Sequence, residues 1–180
     1  MLTGKTIVFG VSGGVAAYKA VEVVSRLVKQ GAEVHVIMTD SATRFVTPLT
    51  FREISGQPVH VSMWDEPKLW NVAHIALARK ADMVVIAPAT ANILAKIAHG
   101  IADDFLSTTV LAASTSILVV PAMNTDMFNN PATQDNLKIL VKRGFTIMQP
   151  ASGVLACGTE GIGRLPLASL IATTLGIIDS

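Results

Sequence analysis

The stretch Thr6-Ile7-Val8-Phe9-Gly10-Val11-Ser12-Gly13-Gly14 decides how this chain is read. An apolar, β-rich run ends in a hydroxyl and two glycines, the punctuation of a strand that turns sharply. Ala16–Gln30 follows with apolar residues at helical spacing and stops at Gly31, a natural helix end. Glu33–Thr39 is strand-like again. Strand, glycine turn, helix and strand imply a right-handed crossover between two parallel strands.

The alternation continues along the chain. Ser41–Gly56 reads as helical segments broken at Pro48, Val59–Val61 as a weak third strand and Asp65–Asn71 as a loop. Val72–Lys80 reads as a short helix, and Met83–Ala87 as a buried strand ending at Pro88. Gly100 separates helices over Asn92–His99 and Asp104–Ala113, and Ile117–Val120 is another buried strand. Asn130-Pro131 opens a helix that runs to Gly144, with asparagine as cap and proline in the first turn. Thr146–Met148 is the last strand, Ala151–Leu165 a glycine-rich loop, and Leu167–Ile178 a terminal helix. The expected fold is α/β: a doubly wound, mostly parallel sheet in a Rossmann/flavodoxin-like three-layer sandwich. We expect a single domain over residues 1–180.

Apolar residues make up 51% of the chain and charged ones 15%, against about 25% charged in an ordinary domain. A buried parallel sheet and a large subunit interface would absorb that excess, so a homo-oligomer is expected. A net charge of +1 without charged blocks argues against nucleic-acid or membrane-surface partners. The longest apolar stretches, such as Ile117–Met123, are too short to span a bilayer. One cysteine excludes an internal disulfide and fits a reducing, cytoplasmic location.

In such a sheet ligands bind at the carboxyl ends of the strands, and the distinctive residues fall there. Gly10–Gly14 is not the G-x-G-x-x-G fingerprint, and Gly14–Lys19 is not a P-loop. Ser12 and backbone N–H groups at a helix start suit one phosphate. Thr39, Ser41, Thr90 and Asn92 add neutral hydrogen-bonding groups, which suit a mononucleotide with a polyhydroxy chain better than a dinucleotide. Taken singly, each of these is more simply a cap or a turn. The single cysteine, Cys157, lies in a loop with Gly153, Gly158, Gly161 and Gly163, a composition suited to movement or ligand access. His35, His60 and His99 have no partner spacing for a metal and read as structural. Trp64 and Trp70 flank a loop that could cover a ligand or an interface.

Four motifs occur together: Asn71-Val72-Ala73-His74-Ile75, Pro88-Ala89-Thr90-Ala91-Asn92, Pro121-Ala122-Met123-Asn124 with Met127, and Ala156-Cys157-Gly158. In this combination the chain resembles the homo-oligomeric flavin-containing cysteine decarboxylases, most closely the branch acting on phosphopantothenoylcysteine. The resemblance spans residues 4–165. It implies FMN at a subunit boundary of a trimer, often assembled into a dodecamer. Flavin contacts would come from Gly13, Gly14 and Val15, then Thr39, Asp40, Ser41 and Phe45, and finally Thr90, Ala91, Asn92, Ile93 and Ala122. His74 matches the family's active-site histidine and Asn124 the asparagine that grips the substrate carboxylate. Ala156, Cys157 and Gly158 match the mobile substrate clamp. The ligase domain of bifunctional relatives is not expected in this chain.

The implied reaction is FMN-dependent decarboxylation of 4'-phosphopantothenoylcysteine to 4'-phosphopantetheine in coenzyme A biosynthesis. Direct loss of CO₂ from a cysteine carboxylate would leave an unstabilised carbanion. Oxidation of the thiol-bearing carbon to a thioaldehyde places the carboxylate β to C=S, and the departing electrons delocalise into sulfur. Hydride return with protonation then closes a redox-neutral cycle. His74 would act as base or orienter, Asn124 would hold the carboxylate, and Cys157 would supply the proton of the reductive half.

A peptidyl-cysteine decarboxylase would share the flavin, histidine and asparagine motifs, and the Ala-Cys-Gly-x-x-Gly-x-Gly-Arg clamp favours the coenzyme A substrate. A non-catalytic flavoprotein regulatory subunit would not need His74, Asn124 and Cys157 together. A flavin prenyltransferase would not need the clamp. After Leu165 the chain departs from the family pattern: Pro166-Leu167-Ala168 stands where an acidic residue and proline are usual, which bears on how the clamp closes.

Overall fold

The computed structural model describes residues 2–64, 73–154, 158 and 160–178. Its centre is a six-stranded sheet built from β1 (Thr6–Val11), β2 (Glu33–Met38), β3 (Val59–His60), β4 (Met83–Ala89), β5 (Ser116–Pro121) and β6 (Thr146–Ile147). The order is β3-β2-β1-β4-β5-β6 and all pairings are parallel. This is the doubly wound order, and the winding reverses between β1 and β4.

Every residue of β1 and β4 is buried, because both faces of the central strands are covered. On one face Phe9, Val36 and Val85 pack against α1 (Ala17–Lys29), α2 (Pro48–Ser55) and α8 (Leu167–Ile178) through Leu27, Phe51 and Leu170. On the other, Val8, Val84 and Val119 meet α3 (Ala73–Lys80), α4 (Ala91–His99), α5 (Phe105–Ala112) and α7 (Pro131–Lys142). Each fully buried aliphatic or aromatic side chain contributes about 1.5–3 kcal/mol of transfer free energy, so the three layers hold without any covalent staple. Among the described residues, no helix is long and apolar enough to cross a membrane.

The structure differs from the sequence reading in four places. A 3-10 turn over Asp40–Arg44 starts the Ser41–Gly56 region before Pro48 opens α2. β4 runs on through Pro88 to Ala89, pairing with Pro121 after a register shift. A five-residue helix, α6 (Thr125–Asn129), precedes α7. The expected glycine-rich loop is instead an antiparallel hairpin of β7 (Ala151–Val154) and β8 (Glu160–Arg164). The expected Asp65–Asn71 loop, Val72 and Trp70 lie outside the described residues, as do Ala156 and Cys157.

Candidate active site

The carboxyl ends of β1 and β4 are tied through Ser12, whose backbone N–H donates to the Pro88 carbonyl (3.2 Å). Ser12 is 1% exposed, and its hydroxyl donates to the Pro88 carbonyl (2.7 Å) and accepts from the Thr90 N–H (2.9 Å). With its single proton committed, Ser12 fixes the two turns, and it does not line the cavity they frame. Thr90 caps α4, its hydroxyl accepting from the Ile93 N–H, so Ile93 is buried in the core. Thr39 likewise caps the Asp40–Arg44 turn by accepting from the Ala42 N–H (3.3 Å). These two threonines carry out the structural role that each could have been given from sequence alone.

Gly13 is where the turns after β1 and β2 touch. A Cβ there would stand 2.3 Å from Ser41 Cβ and 2.8 Å from the Ser41 carbonyl carbon. Only glycine lets these segments approach so closely. Next to it α1 begins without a side-chain cap and without an acidic residue in its first turn. The N–H groups of Ala17, Tyr18 and Lys19 already donate to the carbonyls of Gly14, Val15 and Ala16 (2.9, 3.5 and 3.0 Å), so the donors this helix start keeps for an anion are the Val15 and Ala16 N–H groups in the turn before it.

A cavity of about 500 Å³ opens at this point. Gly13, Gly14, Val15, Thr90, Ala91, Ala122 and Asn124 all line it, so seven of the expected residues converge. Asn124 caps α6: its Oδ1 accepts from the N–H groups of Asp126 (2.8 Å) and Met127 (3.4 Å). That fixes the amide's orientation and makes Nδ2 the group with protons to give. The hairpin is rooted on the same turn. The Met123 N–H donates to the Gly163 carbonyl (3.1 Å) and the Thr125 hydroxyl to the Ile162 carbonyl (2.9 Å).

Thr39, Asp40, Ser41, Phe45, Asn92 and Ile93 do not line the cavity. Gly158 has φ +84° and sits in the hairpin tip. His74 is elsewhere: on α3, half-buried, with its ring edge-on to Phe105. Two lining residues, Lys19 and Arg164, were not singled out from sequence. Lys19 looks like an ordinary helix-surface cation, and Arg164 is far away along the chain. A separate cavity of about 320 Å³ lies at the amino end of β5, where the Arg143 guanidinium donates to the Ala98 carbonyl (2.7 Å). It holds none of the expected residues.

A mononucleotide-sized cavity at the switch point of a doubly wound sheet defines a nucleotide- or flavin-binding α/β protein. The Flavoprotein family matches residues 1–176. The coenzyme A biosynthesis bifunctional protein CoaBC of Vibrio cholerae is 48% identical over 164 residues, 91% of this chain and 41% of that protein. This chain therefore spans about two fifths of that relative's length. The structure of the FMN-dependent cysteine decarboxylase SpaF superposes with a TM-score of 0.85 at 34% identity, covering 100% of both chains. A cysteine-to-serine mutant of PPC decarboxylase complexed with pantothenoylaminoethenethiol gives 0.83 at 34% identity, covering 98% of this chain and 99% of that one. The chain belongs to the flavoprotein family, in its branch of flavin-dependent phosphopantothenoylcysteine decarboxylases.

The residues present fit a flavin with one phosphate. The uncapped start of α1 suits the phosphate, Gly13 keeps the cradle open, and Val15, Ala91, Ala122 and Met123 offer an apolar wall.

Proposed function

We propose that the chain is an FMN-dependent decarboxylase converting 4'-phosphopantothenoylcysteine to 4'-phosphopantetheine in coenzyme A biosynthesis. The observation that carries this reading is the single cavity joining the uncapped start of α1 to the Asn124 turn beneath the β7–β8 hairpin. The 34% identity to a PPC decarboxylase over nearly the whole of both chains supports it.

When bound, the flavin supplies the two-electron acceptor and donor of a redox-neutral sequence. The Val15 and Ala16 N–H groups in the turn before α1 would hold its phosphate. Asn124 donates from Nδ2 to the substrate carboxylate, and being neutral it does not stabilise that carboxylate enough to oppose CO₂ loss. His74 takes the thiol proton, and Cys157 returns a proton to the carbon that loses CO₂. The reading makes residues 1–180 one flavin-binding domain acting in the cytoplasm.

His74 does not line its own chain's cavity. Val15, Tyr18, Met127 and Val154 do line it, yet are 52%, 61%, 50% and 64% exposed. A neighbouring copy packed on that apolar mouth would cover them and bring a second His74 to the site. The number of copies, a trimer alone or within a dodecamer, is what the family resemblance implies.

The test is to incubate the flavin-loaded protein with phosphopantothenoylcysteine and follow it by mass spectrometry. A product lighter by the mass of CO₂ supports the reading. An unchanged substrate beside a cysteine-terminated peptide that does lose CO₂ would replace it with the peptide reading.

A further inference from the structure

Lys19 and Arg164 both line the cavity, one from the first turn of α1 and the other from the end of β8. Neither has a carboxylate partner among the described residues, and among them no carboxylate lines the cavity. Burial, and then the Arg164 charge, hold the Lys19 ammonium below its usual pKa, so the two cations feel each other across the cavity. Two like charges left facing each other beside a cavity are unfavourable until an anion joins them.

The arginine is also deliberately seated. A Cβ on Gly153 would stand 2.5 Å from Arg164 Nη1 and 3.1 Å from its Cδ. Gly153 has φ +147°, a conformation that other residues rarely adopt. The glycine thus clears a lane on β7 across which the Arg164 side chain lies. A planar guanidinium and a point-charge ammonium converging from two elements suit the three oxygens of a phosphate better than the two of a carboxylate.

We propose that Lys19 and Arg164 form a subsite for a phosphate monoester dianion, at the hairpin side of the cavity. On the reading above, on which this assignment rests, that group is the substrate's own phosphate, remote from the carbon that loses CO₂. The subsite would then select phosphorylated small molecules over cysteine-terminated peptides. The flavin's phosphate is the other source of the same chemistry.

The experiment uses flavin-loaded wild type, Lys19→Gln, Arg164→Gln, and the charge-keeping Lys19→Arg and Arg164→Lys. It measures kcat and KM for phosphopantothenoylcysteine and its dephospho analogue, with affinities for FMN and riboflavin by fluorescence. We expect each neutral variant to lower the phosphorylated-to-dephosphorylated ratio of kcat/KM by about 10- to 100-fold, mostly through KM. The charge-keeping variants should restore part of it. If the ratio holds while FMN, but not riboflavin, binds more weakly, the dianion is the flavin's. If both substrates and both flavins respond alike in every variant, the subsite is refuted. Should wild type turn over neither substrate, the reading of the reaction fails. The subsite then stands or falls on whether wild type binds phosphopantothenate more tightly than pantothenate, and Lys19→Gln removes the difference.

Discussion

The ring of His74 meets the ring of Phe105 edge-on, their centroids 6.1 Å apart. His60 stacks on the same phenyl ring at 4.9 Å, so one buried aromatic side chain orients two histidines. Phe105→Leu keeps most of the buried volume but removes the edge contact. On the role proposed for His74, we expect a thermal stability close to wild type, with kcat lowered about 10-fold and KM little changed, since a loosened base or orienter misplaces the reacting groups. Equal kinetics for the two proteins would show that His74 does not depend on this ring.

Two substitutions separate the halves of the reaction. Cys157→Ser should release CO₂ about once per flavin and then stall, because a serine hydroxyl is a far weaker acid than a thiol. His74→Asn should release none. Single-turnover CO₂ detection with flavin absorbance distinguishes them; many turnovers by Cys157→Ser at near wild-type rate would make the cysteine structural.

Gly13 and Gly14 should respond differently to alanine. At Gly13 the new Cβ meets Ser41 at 2.3 Å, so backbone must move, whereas at Gly14 the nearest atom is Thr90 Cγ2 at 3.4 Å. Gly13→Ala should lose FMN affinity by more than 10-fold, about 1.4 kcal/mol or more, and Gly14→Ala much less. Fluorescence titration of the apoprotein measures both.

Ser12→Ala removes the side-chain link between the ends of β1 and β4: the Thr90 N–H loses its hydroxyl acceptor, and the Pro88 carbonyl keeps only the Ser12 backbone N–H (3.2 Å) of its two donors from that residue. The cost should be about 1–3 kcal/mol of stability in urea unfolding. An unchanged midpoint would mean that water replaces the hydroxyl.

Acid should weaken the fold near neutrality. Burial holds the His35 pKa below its usual value, with Lys80 and His60 pushing the same way and Glu33 opposing them. A group with a depressed folded-state pKa binds more protons when unfolded. Its stabilising contribution is present above the unfolded value of about 6.5 and is lost as pH falls from there through the folded value. Urea midpoints should therefore drop below about pH 6.5 in wild type, and His35→Gln should flatten that part of the profile.

Much of the architecture was legible in the sequence because it rests on local rules. Apolar runs punctuated by Ser12-Gly13-Gly14 or by Asn130-Pro131 identify strands and caps without any tertiary information. α6 escaped because five residues cannot display a helical period, and its real signature is the Asn124 cap. The hairpin escaped because Gly153, Gly161 and Gly163 carry no strand propensity; the strands form by docking on Met123 and Thr125. Lys19 and Arg164 meet only through tertiary structure, so no spacing rule could pair them.

The docking of β8 on α6 has an evolutionary corollary. A Cβ at position 161 would stand 2.3 Å from the Thr125 hydroxyl oxygen, which is itself bonded to the Ile162 carbonyl. The two positions share one small volume, so drift at either is answerable to the other. A chimaera that imports residues 151–165 from a relative inherits a strand shaped for someone else's α6, and would need residues 123–125 to travel with it. The hairpin and the asparagine turn are thus a single heritable unit, although α7 and the last strand of the main sheet separate them along the chain.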